Sequence, residues 1–195
     1  MGTTFAATLI TGSKLHWISV GDSPLYLFRN NKLRQINADH SLAPQIDLLV
    51  ANGMMSPEDG YSHPNRNVLT SVLIGDDIPK IDCPEDPLIL NAGDVLVLAS
   101  DGLQTLRNDQ IETILRRSKN RNTIEITDRL LNGVCAAQNP DQDNISIVVI
   151  RAVEAPKPYS FEWALPPRVK MLQVRTAGLL NAIFTRAAKA NTTRR

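Results

Sequence analysis

The stretch Val95-Leu96-Val97-Leu98-Ala99-Ser100-Asp101-Gly102 decides how this chain is read. Five apolar residues in succession, rich in Val and Leu, predict a strand buried on both faces. The run ends on a carboxylate followed by glycine, which allows a sharp turn behind a rigidly held Asp. Two further apolar runs carry an Asp at one end. Leu15-His16-Trp17-Ile18-Ser19-Val20 leaves through Gly21-Asp22-Ser23, and Asp143-Asn144 leads into Ile145-Ser146-Ile147-Val148-Val149-Ile150. An Asp that follows one strand and an Asp that precedes its antiparallel neighbour fall at the same end of a sheet. Three converging carboxylates repel unless a hard cation lies between them, so Asp22, Asp101 and Asp143 are candidate metal ligands. The plain alternative is that all three are strand-end turn residues, a place where Asp is common.

Outward from that stretch the order of elements predicts the fold class. Residues 3–20 read as a hairpin turning at Gly12, and Leu25–Phe28 with Leu33–Ile36 read as a second one around Asn30-Asn31. Pro44 opens a helix to Ala51 with Ile46, Leu49 and Val50 on one face, and Ser56-Pro57-Glu58-Asp59 opens another. Asn67–Leu73 is strand-like, and Leu88–Leu90 with the Val95 run reads as a third hairpin. Helices are expected from Asn108, with Ile111, Ile114 and Leu115 inward, and over Thr123–Gln138, with Ile126, Leu130 and Val134 at helical spacing. Strands, short helices, strands, two helices and a strand make an α+β fold with largely antiparallel sheet.

The charge is unevenly spread over the 195 residues. Residues 1–155 carry 13 Lys+Arg against 19 Asp+Glu, whereas residues 156–195 carry 8 against 1. A mildly acidic body argues against nucleic acid as the partner. Cys83 and Cys135 are the only cysteines, and no apolar run reaches the roughly 18 residues of a membrane span, so a reduced, cytoplasmic protein is expected. Past Arg151, Pro156, Pro158, Pro166 and Pro167 mark a stiff linker over 153–167, and 168–195 follows as a basic amphipathic tail. The plain reading of that tail is an exposed helix or a disordered end; contact with a membrane surface or a partner through 168–190 is the other reading. His16, His40 and His63 show no ligand spacing, and His40 reads as part of a structural turn.

The Asp residues sit inside longer motifs. Gly2-Thr3-Thr4, Val20-Gly21-Asp22-Ser23, Asp39-His40-Ser41, the run His63–Thr70 ending at Gly75, Ser100-Asp101-Gly102 and Gln142–Ser146 follow in a fixed order. In order and spacing they resemble the bacterial form of the metal-dependent protein serine/threonine phosphatases (PPM, type 2C). The resemblance implies a PPM-type domain portion over 1–152, built as an antiparallel β-sandwich flanked by helices. It implies hydrolysis of phosphoserine and phosphothreonine in proteins, with two Mn²⁺ or Mg²⁺ ions, and a Ser/Thr kinase as functional counterpart. Asp101 and Asp143 match metal-ligating carboxylates, and Asp22 matches an Asp that helps hold a third, weaker metal. Thr105 stands where relatives often place another Asp for that third ion.

The family's opening portion, with its phosphate-binding Arg and Asp-Gly-His-Gly-Gly segment, is expected before the Gly-Thr-Thr strand and has no match here. The domain is therefore expected to be N-terminally incomplete, with weak Mn²⁺ binding and near-background hydrolysis by this chain alone. The alternative from another class is a catalytically inactive phosphatase-like protein that binds a phosphoprotein or regulator; a metal-free structural sandwich is a third.

Overall fold

The computed structural model describes residues 2–140 and 142–154. All of the expected linker beyond Glu154, and the whole basic tail, lie outside the described residues. Two antiparallel hairpins open the fold. Strands β1 (Phe5–Thr11) and β2 (Lys14–Val20) pair along their length around Gly12, which takes φ 62°. Strands β3 (Leu25–Arg29) and β4 (Lys32–Gln35) join through Asn30 and Asn31 at φ 53° and 61°. Left-handed backbone at both central residues is what a tight two-residue hairpin needs, and Asn tolerates it.

Helices α1 (Ala43–Ala51) and α2 (Pro57–Tyr61) follow. The Ser56 hydroxyl accepts the Asp59 N–H at 3.0 Å, and Pro57 occupies the first turn, where no N–H is needed. Then come β5 (Leu88–Ile89), β6 (Val95–Ala99), a 3₁₀ turn (Asp101–Thr105), α3 (Asn108–Arg117), α4 (Thr123–Ala136) and β7 (Ile147–Arg151). The Asn122 side chain caps α4 by accepting the Glu125 N–H at 2.8 Å.

One sheet has the order β1-β2-β5 and the other β4-β3-β6-β7, with every pairing antiparallel. Leu15 and Trp17 of the first sheet meet Leu25, Leu27 and Leu96 of the second in one core. On the far face of the second sheet, Tyr26, Phe28, Val95 and Val97 pack on α3 and α4 through Ile111, Leu115, Ile126 and Leu130. β3 and β6 are therefore covered on both sides, which is why their sequences lack a polar alternation. The expected α+β sandwich flanked by helices is present.

Three local expectations are corrected. Asn67–Leu73 forms no strand: it makes only single bridges, Ser41 to Leu69 and Thr3 to Leu73. β5 does not pair with β6 as a hairpin; Leu88 sits opposite Leu15 of β2, in the other sheet. Leu88 and Leu90 are needed in the core between the sheets, and that burial outweighs the short turn. On α1 only Ile46 is buried, while Leu49 is 38% exposed.

Candidate metal centre

The antiparallel register of β6 and β7 places Ala99 opposite Ile147, so Asp101, which leaves β6, and Asp143, which enters β7, lie at the same end of the sheet. β2 delivers Asp22 to the same opening. The three side chains line one cavity of about 560 Å³, together with Asp39 and Asp47. Asp22 is buried, whereas Asp101 and Asp143 are exposed. Among the described residues no three His, Cys, Asp or Glu side chains converge closely enough to hold one ion.

Each carboxylate rests on a tightly bonded turn. Gly21 takes φ 102° and lies so close to Thr4 that an added Cβ would sit 2.5 Å from Thr4 Cγ2. The His40 Nδ1 accepts the Gly21 N–H at 3.2 Å, and the His40 N–H donates to the Gly21 carbonyl at 3.0 Å. Burial holds the His40 imidazolium down, which keeps the ring neutral and able to accept. Asn37 completes the clamp, accepting the Leu25 N–H at 2.7 Å and donating to the Ser23 carbonyl at 3.0 Å.

Asp101 and Asp143 are tied to each other through their neighbours. The Ser100 N–H donates to the Ser146 carbonyl at 3.0 Å, and the Ser100 hydroxyl accepts the Ser146 N–H at 3.0 Å. Gly102 lies against the backbone of Asp143 and Asn144 with no room for a side chain. Asp143 accepts the Asn144 N–H at 2.6 Å. The glycine after Asp101 is thus required by close approach of two chain segments rather than by an unusual φ.

The electrostatics follow from that geometry. Burial, then the neighbouring Asp101 and Asp39 carboxylates, push Asp22 up to about 6, its own backbone opposing the rise. The two cations that line the cavity are already engaged. Arg66 donates to both Asp47 oxygens at 2.7 and 3.1 Å, and Arg107 donates to both Asp109 oxygens at 3.1 Å. The protein therefore leaves Asp101 and Asp39 both repelling Asp22. Hard carboxylate oxygens in uncompensated excess suit Mg²⁺ or Mn²⁺, which keep several waters in their shell and do not need an all-protein cage. The chemistry of these donors suits such ions, and no three of the described ones stand close enough together to share one.

Sequence reasoning passed over several lining residues. In the sequence Asp39 stands only as a member of the Asp39-His40-Ser41 motif, with no metal role; in the structure it accepts the Ser41 N–H at 2.8 Å. Its nearness to Asp22 comes from the His40–Gly21 pairing, which no spacing announces. Arg66, Asn67 and Tyr61 reach the cavity from the α1–α2 region. Tyr26 and Gln35 form part of the wall; burial pushes the Tyr26 hydroxyl up to about 12, and it donates to Asn108 Oδ1 at 3.2 Å.

No family-wide sequence profile matches the chain. Individual relatives do. The serine/threonine protein phosphatase PstP of Mycobacterium tuberculosis is 34% identical over 155 residues, which is 79% of this chain and 28% of that protein. The serine/threonine phosphatase Stp of Listeria welshimeri is 33% identical over 151 residues, 77% of this chain and 56% of that protein. The crystal structure of the PstP catalytic domain with two manganese ions superposes with a TM-score of 0.59 at 30% identity, covering 79% of this chain and 60% of that one. The chain thus spans between about a quarter and three fifths of the length of these relatives. In motif order, sequence and fold, the chain is similar to part of the metal-dependent protein serine/threonine phosphatases (PPM, type 2C).

Proposed function

We propose that this protein is a phosphomonoester hydrolase acting on phosphoserine and phosphothreonine in proteins, with Mn²⁺ or Mg²⁺ held by Asp101, Asp143 and Asp22. The observation that carries the reading is a cavity with five carboxylates among the described residues, of which only Asp47 meets a lining cation, Arg66, while Arg107 is spent on Asp109 outside the set. Ions bound there supply Lewis-acid activation of the phosphoryl group and a water of lowered pKa. Asp101 and Asp143 hold their positions through the Ser100–Ser146 bonds, and Asp22 holds its own through His40. Asp22, the buried member, serves the weaker third ion. Asp39 adds negative charge beside Asp22 and raises the attraction for a dication. The Arg66–Asp47 pair fixes the wall formed by α1, against which a phosphorylated segment lies. A Ser/Thr kinase is the functional counterpart, the compartment is the cytoplasm, and 153–167 is a linker to a basic tail that contacts a partner or a membrane surface.

The second reading, a phosphoprotein-binding member without turnover, rests on the absence of any three-carboxylate cluster among the described residues. One assay separates the two. Mn²⁺-dependent phosphate release from a phosphothreonine peptide is measured for the protein and for Asp101→Asn and Asp143→Asn. An amide keeps the shape of the side chain and loses the charge that holds the ion. Release above the level of both variants supports the hydrolase. Release equal to the variants, with the peptide still bound and with no rescue when the family's opening portion is co-expressed, supports the binding protein.

A further inference from the structure

The other end of the second sheet carries a cavity of the opposite charge. β6 runs from Val95 to Ala99, so Asp101 lies about 20 Å from the turn that precedes the strand. At that turn a cavity of about 380 Å³ opens between the β3–β4 hairpin, residues 91–94, the end of α3 and the end of β7. Phe28, Val95 and Leu115 form its apolar floor. Among the described residues its charged lining is Arg29, Lys119 and Arg151 against one acid, Asp94.

The one acid is fully used. Arg29 donates to both Asp94 oxygens at 3.0 and 2.6 Å, and the Asn91 N–H donates to the second of them at 2.7 Å. Arg151 has no carboxylate partner among the described residues. Its guanidinium donates to the Lys119 carbonyl at 2.6 Å and, at 3.4 Å, to the Ser118 carbonyl just past the end of α3, which also accepts the Arg121 N–H. Its Nε is buried and makes no hydrogen bond. A half-buried cation held by carbonyls alone, with a stranded donor, is costly unless an anion shares the site. Lys119 is exposed beside it, and the amides of Asn30, Asn31 and Asn91 add neutral donors around the rim.

We propose that this cavity binds a phosphoryl dianion, either free phosphate or a phosphate carried on a small molecule whose apolar part rests on Phe28, Val95 and Leu115. Arg151 and Lys119 supply the charge. The site is independent of the reaction proposed at the carboxylate end: without metal, that end repels the same anion.

The test uses the full chain in chelator, titrated with inorganic phosphate and, separately, with phenylphosphonate, which no phosphatase cleaves. Backbone amide shifts are followed by NMR. Saturable shifts at Asn30, Asn31, Asn91 and Lys119, with Asp101 and Gly102 still, are expected for either probe. Equal affinities identify free phosphate as the ligand chemistry, and tighter phenylphosphonate binding identifies an ester with an apolar body. Lys119→Glu reverses one charge at an exposed position and should weaken binding at least about tenfold, from Coulomb's law at a few ångströms in water. Arg151→Gln should also weaken it. Because that variant risks fraying α3, Lys119→Glu carries the decision. Absence of saturable shifts at the four named amides, shifts centred on Asp101, or unchanged affinity in Lys119→Glu would overturn the proposal.

Discussion

Replacing Gly102 with Ala tests how the two halves of the candidate centre are joined. The new Cβ would lie 2.7 Å from the Asn144 carbonyl oxygen, 3.2 Å from its carbon and 3.2 Å from the Asp143 oxygen. Ordinary contacts begin at 3.4 Å, and every atom met is backbone, so no rotamer change relieves the clash. The segment carrying Asp143 must move away from Asp101 by about 0.7 Å, an overpacking strain of about 1–3 kcal/mol. For a body of this size that lowers the midpoint of thermal unfolding by about 2–4 °C per kcal/mol, or about 2–12 °C in all. Mn²⁺ affinity should fall with it, because the two carboxylates part.

Gly133→Ala is the control. Its Cβ meets Ile114 Cδ1 at 2.9 Å and Leu106 Cδ1 at 3.2 Å, both ends of flexible side chains, and Ala favours the α4 helix by about 1 kcal/mol. Its net effect should be within about 1 kcal/mol of zero. Differential scanning calorimetry and Mn²⁺ titration of both variants decide the matter. A Gly102→Ala protein that melts with the parent and binds Mn²⁺ as the parent does would refute the reasoning.

Three other outcomes are expected. At Asp94 burial acts upward, but the Arg29 and Asn91 hydrogen bonds outweigh it and hold the carboxyl below its usual range. Its stabilisation is therefore complete above the unfolded pKa of about 3.9 and is lost as the pH falls through the folded value. Asp94→Asn should cost about 1.5–3 kcal/mol at pH 7, and urea unfolding should show that gap closing below about pH 4; a gap independent of pH would contradict the assignment. His40→Leu leaves the Gly21 N–H without its acceptor and should cost about 1–3 kcal/mol, while His40→Asn, which returns an acceptor near Nδ1, should recover most of it in the same measurement. Leu130, fully buried between α4 and the second sheet, should cost about 2–5 kcal/mol on truncation to Ala, and exposed Leu48 next to nothing, by denaturant midpoint.

Much of this protein was legible in the chain because local chemistry decides it. Asn30-Asn31 has backbone freedom that suits a two-residue hairpin. Ser56-Pro57 and Asn122 start helices, and Ile126, Leu130 and Val134 fall on one stripe. Val95–Ala99 lacks polar residues because both of its faces are covered. The place of Asp101 and Asp143 at one sheet end followed from antiparallel pairing alone.

What only the tertiary structure decided is which distant pieces meet. Residues 88–89 joined β2 instead of β6, because Leu88 and Leu90 fill the core between the sheets. Asn67–Leu73 has the composition of a strand, but a strand needs a partner edge along its length, and it met only single residues. Asp39 reached Asp22 through a histidine bond to Gly21, and the basic cavity drew Arg29 and Arg151 from two strands and Asn91 and Lys119 from two loops. Such meetings are set by the burial of apolar surface over the whole molecule. That free energy is a property of the packed chain, and no window of sequence contains it.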